Sequence, residues 1–140
     1  MKILVTGTAG FIGAAVAESL LARGDEVVGV DSLNDYYDVA LKRARLARFE
    51  GHPRYRHHEF DLADPARTSA LFAAEAPVRV IHLAAQAGVR YSIENPLAYV
   101  ESNVVGTANV LEGCRHNGVE HLVYASTSSV YGANTNMPFS

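Results

Sequence analysis

The sequence predicts an α/β fold in which a parallel, doubly wound sheet carries helices on both faces. Three observations support that expectation. Short apolar runs rich in Val and Ile alternate with longer segments of helical periodicity along the chain. The first run leads directly into a turn with glycine at every third position, Gly7-Thr8-Ala9-Gly10-Phe11-Ile12-Gly13. The second run ends on a carboxylate, Asp31, about 20 residues after that turn, where such folds place an acidic residue.

Residues 2–6 form the first buried strand. Gly7 permits the tight turn that follows, and Gly10 leaves no side chain between the backbone and a phosphate. Gly13 lets the next helix pack close to the sheet. The free amides and the dipole at that helix start make an anion site. Ile12, Val16 and Leu20 recur at helical spacing from residue 11 to about 23, and Gly24 suits a C-terminal cap. Residues 26–30 are the second strand, with Asp31 placed to accept from ribose hydroxyls.

A polar loop, Ser32 to Tyr37, precedes a helix capped by Asp38 that runs to about residue 49, where Gly51 and Pro53 end it. Its Lys42, Arg43, Arg45 and Arg48 read as a solvated basic face, with contact to phosphates as the other reading. Residues 54–60 alternate as a third strand. Asp64 and Pro65 open the next helix, which runs to about residue 76 before Pro77. Residues 78–83 are the fourth strand, followed by the small residues Ala84 to Gly88, where backbone can approach a ligand. Asn95-Pro96 starts a long helix reaching about residue 117, closed by Gly118. Residues 119–125 are the fifth strand, ending at Ser126-Thr127-Ser128-Ser129.

Five strands and four helices in this alternation predict one domain with strand order 3-2-1-4-5. The ligand crevice then lies outside the strand C-termini, between the first and fourth strands. Gly7, Asp31, Asp61, Ala84 and Thr127 all sit at those ends. A chain of 140 residues is long enough to bury about two thirds of its unfolded surface. No apolar run approaches the ~20 residues of a membrane span, and glycine interrupts the N-terminal run too early for a signal peptide. The single cysteine excludes internal disulfides and suits a reducing, cytoplasmic setting. A net charge of −3 argues against a nucleic-acid surface. The six histidines show no metal-ligand spacing; His57 and His58 are adjacent and point to opposite faces of a strand, so no metal site is expected. His82, ending an apolar strand without a nucleophile partner, reads as structural rather than catalytic.

The turn Thr6 to Gly13, with its G-x-x-G-x-x-G spacing, resembles the extended branch of the short-chain dehydrogenase/reductase superfamily. That branch contains nucleotide-sugar epimerases, dehydratases and decarboxylases. The resemblance implies a Rossmann-type domain that binds NAD through Gly7, Ala9, Gly10, Phe11, Ile12 and Gly13, with Asp31 and Asn34 beyond the second strand. Asp61-Leu62 resembles the pair that holds adenine. His82-Leu83-Ala84-Ala85-Gln86-Ala87 is similar to the motif lining the middle of the cofactor, which assigns Leu83, Ala84, Ala85 and Gln86. Asn103 matches an asparagine that braces the active-site end of the long helix, although a solvent-facing position is equally compatible with the residues alone. Ser126 is assigned to the cofactor in the same way.

Tyr124-Ala125-Ser126-Thr127-Ser128-Ser129-Val130-Tyr131-Gly132 resembles the branch's catalytic signature. The resemblance makes Thr127 the hydroxyl that binds the reacting sugar oxygen, and a hydroxyl can both donate and accept there. Related dehydratases carry Asp-Glu where this chain has Ser128-Ser129, and a decarboxylase group carries Glu at the second position. Their absence points to epimerisation. The wording of residues 31–38, 86–92 and 95–96 resembles most closely the UDP-glucuronate 4-epimerase group. That implies a UDP-sugar substrate whose carbon 4 is inverted through a ketone while NAD transiently holds the hydrogen. A UDP-glucose or UDP-galactose 4-epimerase is the nearest alternative; a dehydratase and a non-catalytic NAD-binding module are the others. Ser128 and Arg90 become substrate candidates, Arg90 because guanidinium pairs with carboxylate or phosphate; a surface arginine is its other reading. The family's Tyr-x-x-x-Lys pair has no match in these residues, since neither Tyr124 nor Tyr131 is followed by Lys four positions on. An incomplete cofactor domain, inactive alone, is therefore expected, with the substrate domain lying elsewhere. The full-length protein is expected to be a homodimer, and the long helix to expose an apolar stripe.

Overall fold

The computed structural model describes residues 1–139. Strands β1 (Lys2–Thr6), β2 (Glu26–Asp31), β3 (Tyr55–Glu59), β4 (Arg79–His82) and β5 (His121–Tyr124) form one sheet in the order β3-β2-β1-β4-β5. Every pairing is parallel, and Thr6 lies level with Val30 on one side and His82 on the other. The central strands β1 and β2 are buried on both faces and read as near-continuous apolar runs rather than alternating ones, whereas Val123 and Tyr124 on the edge strand β5 are exposed. Leu4 and Val5 point to opposite faces and both are fully buried.

Helices α1 (Phe11–Arg23) and α2 (Val39–Ala47) contribute to the core that contains Ile3 and Val5, through Ala14, Ala17, Leu20, Leu21 and Leu46. On the opposite face α3 (Pro65–Glu75) and α6 (Gly106–His116) pack Leu71, Phe72 and Val110 with Leu4, Val28 and Val80. The expected caps form. Asp38 accepts from the Ala40 amide at 2.8 Å and Asp64 from the Arg67 amide at 3.1 Å. Gly24 takes the left-handed conformation (φ 99°) that ends α1.

The structure corrects the predicted elements in three places. Strands β3, β4 and β5 stop one or more residues short of the predicted ends, because their terminal residues turn into loops at the crevice. A short helix not expected from the sequence, α4 (Tyr91–Glu94), precedes α5 (Pro96–Tyr99). The predicted long helix is continuous but not uniform: α5 passes into a π-helical stretch, Val100–Val105, before α6. There the Gly106 amide donates to Glu101 O, five residues back. A π turn absorbs an extra residue, which a 3.6-residue apolar pattern cannot reveal. The outer side of this helix exposes Leu97, Val104 and Leu111, the expected apolar stripe.

Candidate functional site

The glycine turn is fastened on three sides. The Gly7 amide donates to Val30 O at 2.7 Å, and the Gly10 amide donates to Gly7 O at 3.0 Å. Gly7 has φ 77°, and a Cβ there would stand 2.9 Å from the Ala84 amide nitrogen. At Gly13 a Cβ would stand 1.9 Å from Gly7 O, so Gly13 makes room for the turn's own backbone, which corrects the expectation that it makes room for the sheet. Gly10 is the N-cap of α1 and has no side chain to bond the helix. The amides of Phe11, Ile12 and Gly13 therefore have no acceptor within the helix, and the Phe11 and Ile12 side chains are exposed. An open helix start of this kind holds an anion.

Asp31 closes the turn from β2. Its Oδ2 accepts from the Ala9 amide at 3.0 Å and its Oδ1 from the Leu33 amide at 2.8 Å. A carboxylate has about four acceptor positions, so Asp31 keeps capacity for further donors where it lines the cleft. Ala9 is fully buried with its amide committed to Asp31, and it shapes the turn from beneath. The basic helix α2 proves two-sided. Arg43 pairs with Glu59 at 2.8 Å and Arg48 with Glu18 at 3.0 Å, as a solvated face would. Lys42 and Arg45 turn inward instead. Lys42 is buried in the cleft wall and donates to Asn34 O at 2.7 Å and Asn34 Oδ1 at 3.0 Å. Arg45 donates to Ala9 O at 3.3 Å and lies 6.0 Å from the Phe11 ring centre. The all-solvated reading thus fails for these two, whose spacing of three puts them on one helix face.

Across the cleft stand Asp61, Leu62 and the segment Leu83, Ala84, Ala85 and Gln86. Two side chains hold that segment. Thr6 Oγ1 accepts from the Leu83 amide at 2.9 Å and the Ala84 amide at 3.0 Å. Asn103 clamps the Gln86 backbone, accepting from its amide at 2.8 Å and donating to its carbonyl at 3.1 Å. This resolves the open reading of Asn103 in favour of a brace. His82 is buried between Thr6 Oγ1, 2.7 Å from Nδ1, and Thr107 Oγ1, 3.0 Å from Nε2.

The cleft continues past Gln86 into a hollow of about 670 Å³, within the range of small-molecule sites. Ser126, Thr127, Asn103 and Tyr124 line it. Thr127 caps a short 3₁₀ turn, Ser128–Tyr131: its Oγ1 accepts from the Ser129 amide at 3.2 Å. Ser128 and Arg90 are not on the walls. Arg90 is exposed at the start of α4 without a side-chain partner among the described residues, although its neighbours Val89 and Ser92 do line the hollow. Tyr36 stacks on Tyr91 at 4.6 Å, and Tyr99 donates to Ala87 O at 2.8 Å, so aromatics strap the β2–α2 loop to α4 and α5. Sequence reasoning missed Thr107, gave Tyr36 and Tyr37 no role of their own, and favoured a solvated position for Lys42 over contact with the cleft. The inward spacing of Lys42 and Arg45 is one available signal, and the two tyrosines lie within the family-like wording of residues 31–38.

The chain is similar to known proteins in both sequence and fold. The chain is 51% identical over 140 residues to UDP-glucuronate 4-epimerase 3 of Arabidopsis thaliana, covering 99% of this chain and 32% of that protein. It is 54% identical to Protein CapI of Staphylococcus aureus, covering 100% of this chain and 42% of that one. The UDP-glucuronic acid 4-epimerase of Bacillus cereus, solved with UDP-glucuronic acid and NAD, superimposes with a TM-score of 0.87 at 36% identity, over 97% of this chain and 43% of that one. The UDP-glucose 4-epimerase of Thermotoga maritima, solved with UDP-glucose, does so with a TM-score of 0.83 at 33% identity, over 97% and 41% of the two chains. The chain thus spans well under half the length of these relatives. The family model for NAD dependent epimerases and dehydratases matches residues 3–140, and the chain belongs to the NAD dependent epimerase/dehydratase family.

Proposed function

We propose that this chain is the NAD-binding part of a UDP-glucuronate 4-epimerase. The observation that carries the reading is one continuous cleft, from the open start of α1 past Asp31 and Asp61 to the Thr127 hydroxyl. Its residues fit a dinucleotide. Uncapped amides suit a pyrophosphate, the spare lone pairs of Asp31 suit a ribose, and the bare backbone at Gly7 and Gly10 admits close approach. NAD, when bound, supplies a transient two-electron acceptor that lets a sugar alcohol pass through a ketone.

The chain's own groups then have separate duties. The Phe11 and Ile12 amides hold negative charge, Asp31 accepts from ribose hydroxyls, and Asp61 with Leu62 borders the adenine end. Thr127 Oγ1 holds the sugar oxygen, donating to it as a ketone and accepting from it as an alcohol. The family's tyrosine acid/base has no match in these residues, so the chain alone is expected to bind NAD without turning over substrate. Ser128 and Ser129 present no carboxylate for eliminating water, which supports epimerisation. The exposed stripe of Leu97, Val104 and Leu111 supports a homodimer in the longer protein.

Calorimetric titration tests the first step: the chain should bind NAD, and the variant D31A should bind it far more weakly. The longer natural protein carrying this chain should convert UDP-glucuronate to UDP-galacturonate, and the 140-residue chain should not. Conversion by the chain alone would defeat the division of labour; conversion of UDP-glucose in preference to UDP-glucuronate would defeat the substrate assignment.

A further inference from the structure

Thr6 Oγ1 is surrounded by more donors than one hydroxyl can serve unless its own proton goes elsewhere. The amides of Leu83 and Ala84 both donate to it, at 2.9 Å and 3.0 Å, and occupy its two lone pairs. Its remaining contact is His82 Nδ1 at 2.7 Å. The hydroxyl proton must therefore point at Nδ1, and Nδ1 must be bare. A neutral imidazole then carries its proton on Nε2, where Thr107 Oγ1 waits at 3.0 Å to accept it. One arrangement of protons satisfies every atom in the chain from Leu83 to Thr107.

We propose that His82, neutral and protonated on Nε2, is a positioning residue that orders the floor of the NAD cleft by drawing the Thr6 proton away from the Leu83 and Ala84 amides. With Nδ1 protonated, two donors would face each other across 2.7 Å. Thr6 Oγ1 would have to rotate, and the floor would lose one or both amide bonds. The elements packed around the ring present Thr6 from β1, Thr107 from α6 and, at the same level on β5, Tyr124. No charged side chain among the described residues acts on the ring; burial alone holds it below the ordinary imidazole range. The strut therefore stays locked at neutral pH and is lost only when His82 takes up its second proton, below the ordinary imidazole range.

Two NMR readouts test the strut without reference to ligand. Nitrogen-15 correlation spectra at pH 7.5 should show His82 with a proton on Nε2 and none on Nδ1. On acidification the Leu83 and Ala84 amide shifts should titrate together with His82. A proton on Nδ1, or amides indifferent to His82, would overturn the proposal. The third readout rests on the cofactor reading above. His82→Leu, which removes the acceptor for Thr6, should weaken NAD about tenfold, one hydrogen bond's worth. His82→Asn, whose Oδ1 restores an acceptor near Nδ1 but cannot titrate, should stay within about threefold of wild type, and its affinity should no longer fall in acid. Equal losses in the two variants, both folded by circular dichroism, would refute the strut. If the wild-type chain fails to bind NAD, the cofactor reading falls and the two NMR results still decide the strut.

Discussion

Replacing Gly13 by alanine adds one methyl group where, of the described glycines, a side chain has the least room. The new Cβ would lie 1.9 Å from Gly7 O and 2.6 Å from Gly7 C, where ordinary contact begins at 3.4 Å, so the groups must separate by 3.4 − 1.9, about 1.5 Å. Gly7 cannot give way. Its amide is bonded to Val30 O, its carbonyl accepts from Gly10, and Ala84 stands behind it. The movement falls on α1, whose Ala14, Ala17, Leu20 and Leu21 are packed in the core. Overpacking of this kind costs ~1–3 kcal/mol, and for a domain of this size about 3 kcal/mol lowers Tm by roughly 10 °C. The same movement displaces the Phe11 and Ile12 amides, so NAD affinity should fall with Tm. Gly51→Ala, where an added Cβ meets nothing within 4 Å, is the control and should change stability by under ~0.5 kcal/mol. Thermal unfolding and NAD titration of both variants provide the assay. A Gly13→Ala chain that melts with wild type and binds NAD equally well would refute the packing argument.

Asp31→Ala removes the acceptor for two amides as well as for the ribose, and should weaken NAD by about 2–3 kcal/mol in calorimetry; a loss under threefold would mean that the carboxylate is not in the site. Asn103→Asp keeps the shape but loses the donor to Gln86 O, so NAD affinity should drop about tenfold while circular dichroism stays unchanged. Burial holds His57 and His82 below the ordinary imidazole value of 6.5, so just below that pH the unfolded chain takes up protons that the folded chain refuses. Stability should therefore fall as pH drops through that window and show no contribution from these residues above it; equal urea midpoints at pH 7.5 and 5.5 would contradict this. At lower pH, Asp25, bonded by Arg23, and Glu75 add to the loss: burial opposes ionisation of Glu75, but its bond from Arg56 and the nearby cations outweigh that. Both carboxylates are depressed, so their share of stability is present above the ordinary carboxylate values and lost as pH falls through the folded ones.

What could be read in advance followed from local rules. The apolar runs marked the strands, Asp38 and Asp64 marked helix starts, and the glycine spacing with Asp31 marked the cleft. What escaped depended on tertiary contacts. The π stretch leaves no periodic trace, yet the helix that contains it carries both Asn103, which holds Gln86, and Thr107, which reaches His82 at the end of β4. Lys42 looked like one more surface cation until the fold set Asn34 against it. Thr127 was legible by its wording, whereas the proton order linking Thr6, His82 and Thr107 needed distances.

The bond from the Ala84 amide to Thr6 spans 78 positions, so at 5–20 residues per second β1 waits roughly 4–16 s on the ribosome before its partner emerges. During that interval β1 can pair with β2 alone, and its other edge stays open to other chains. The nucleotide turn cannot take its final shape until β4 arrives, because Thr6 has no amides to accept from and Gly7 has nothing packed behind it. Slow codons between β2 and β4 would lengthen that exposure and favour misassembly. Even when β4 has arrived the floor is not finished, because Asn103 and Thr107, which hold Gln86 and His82, are made later still.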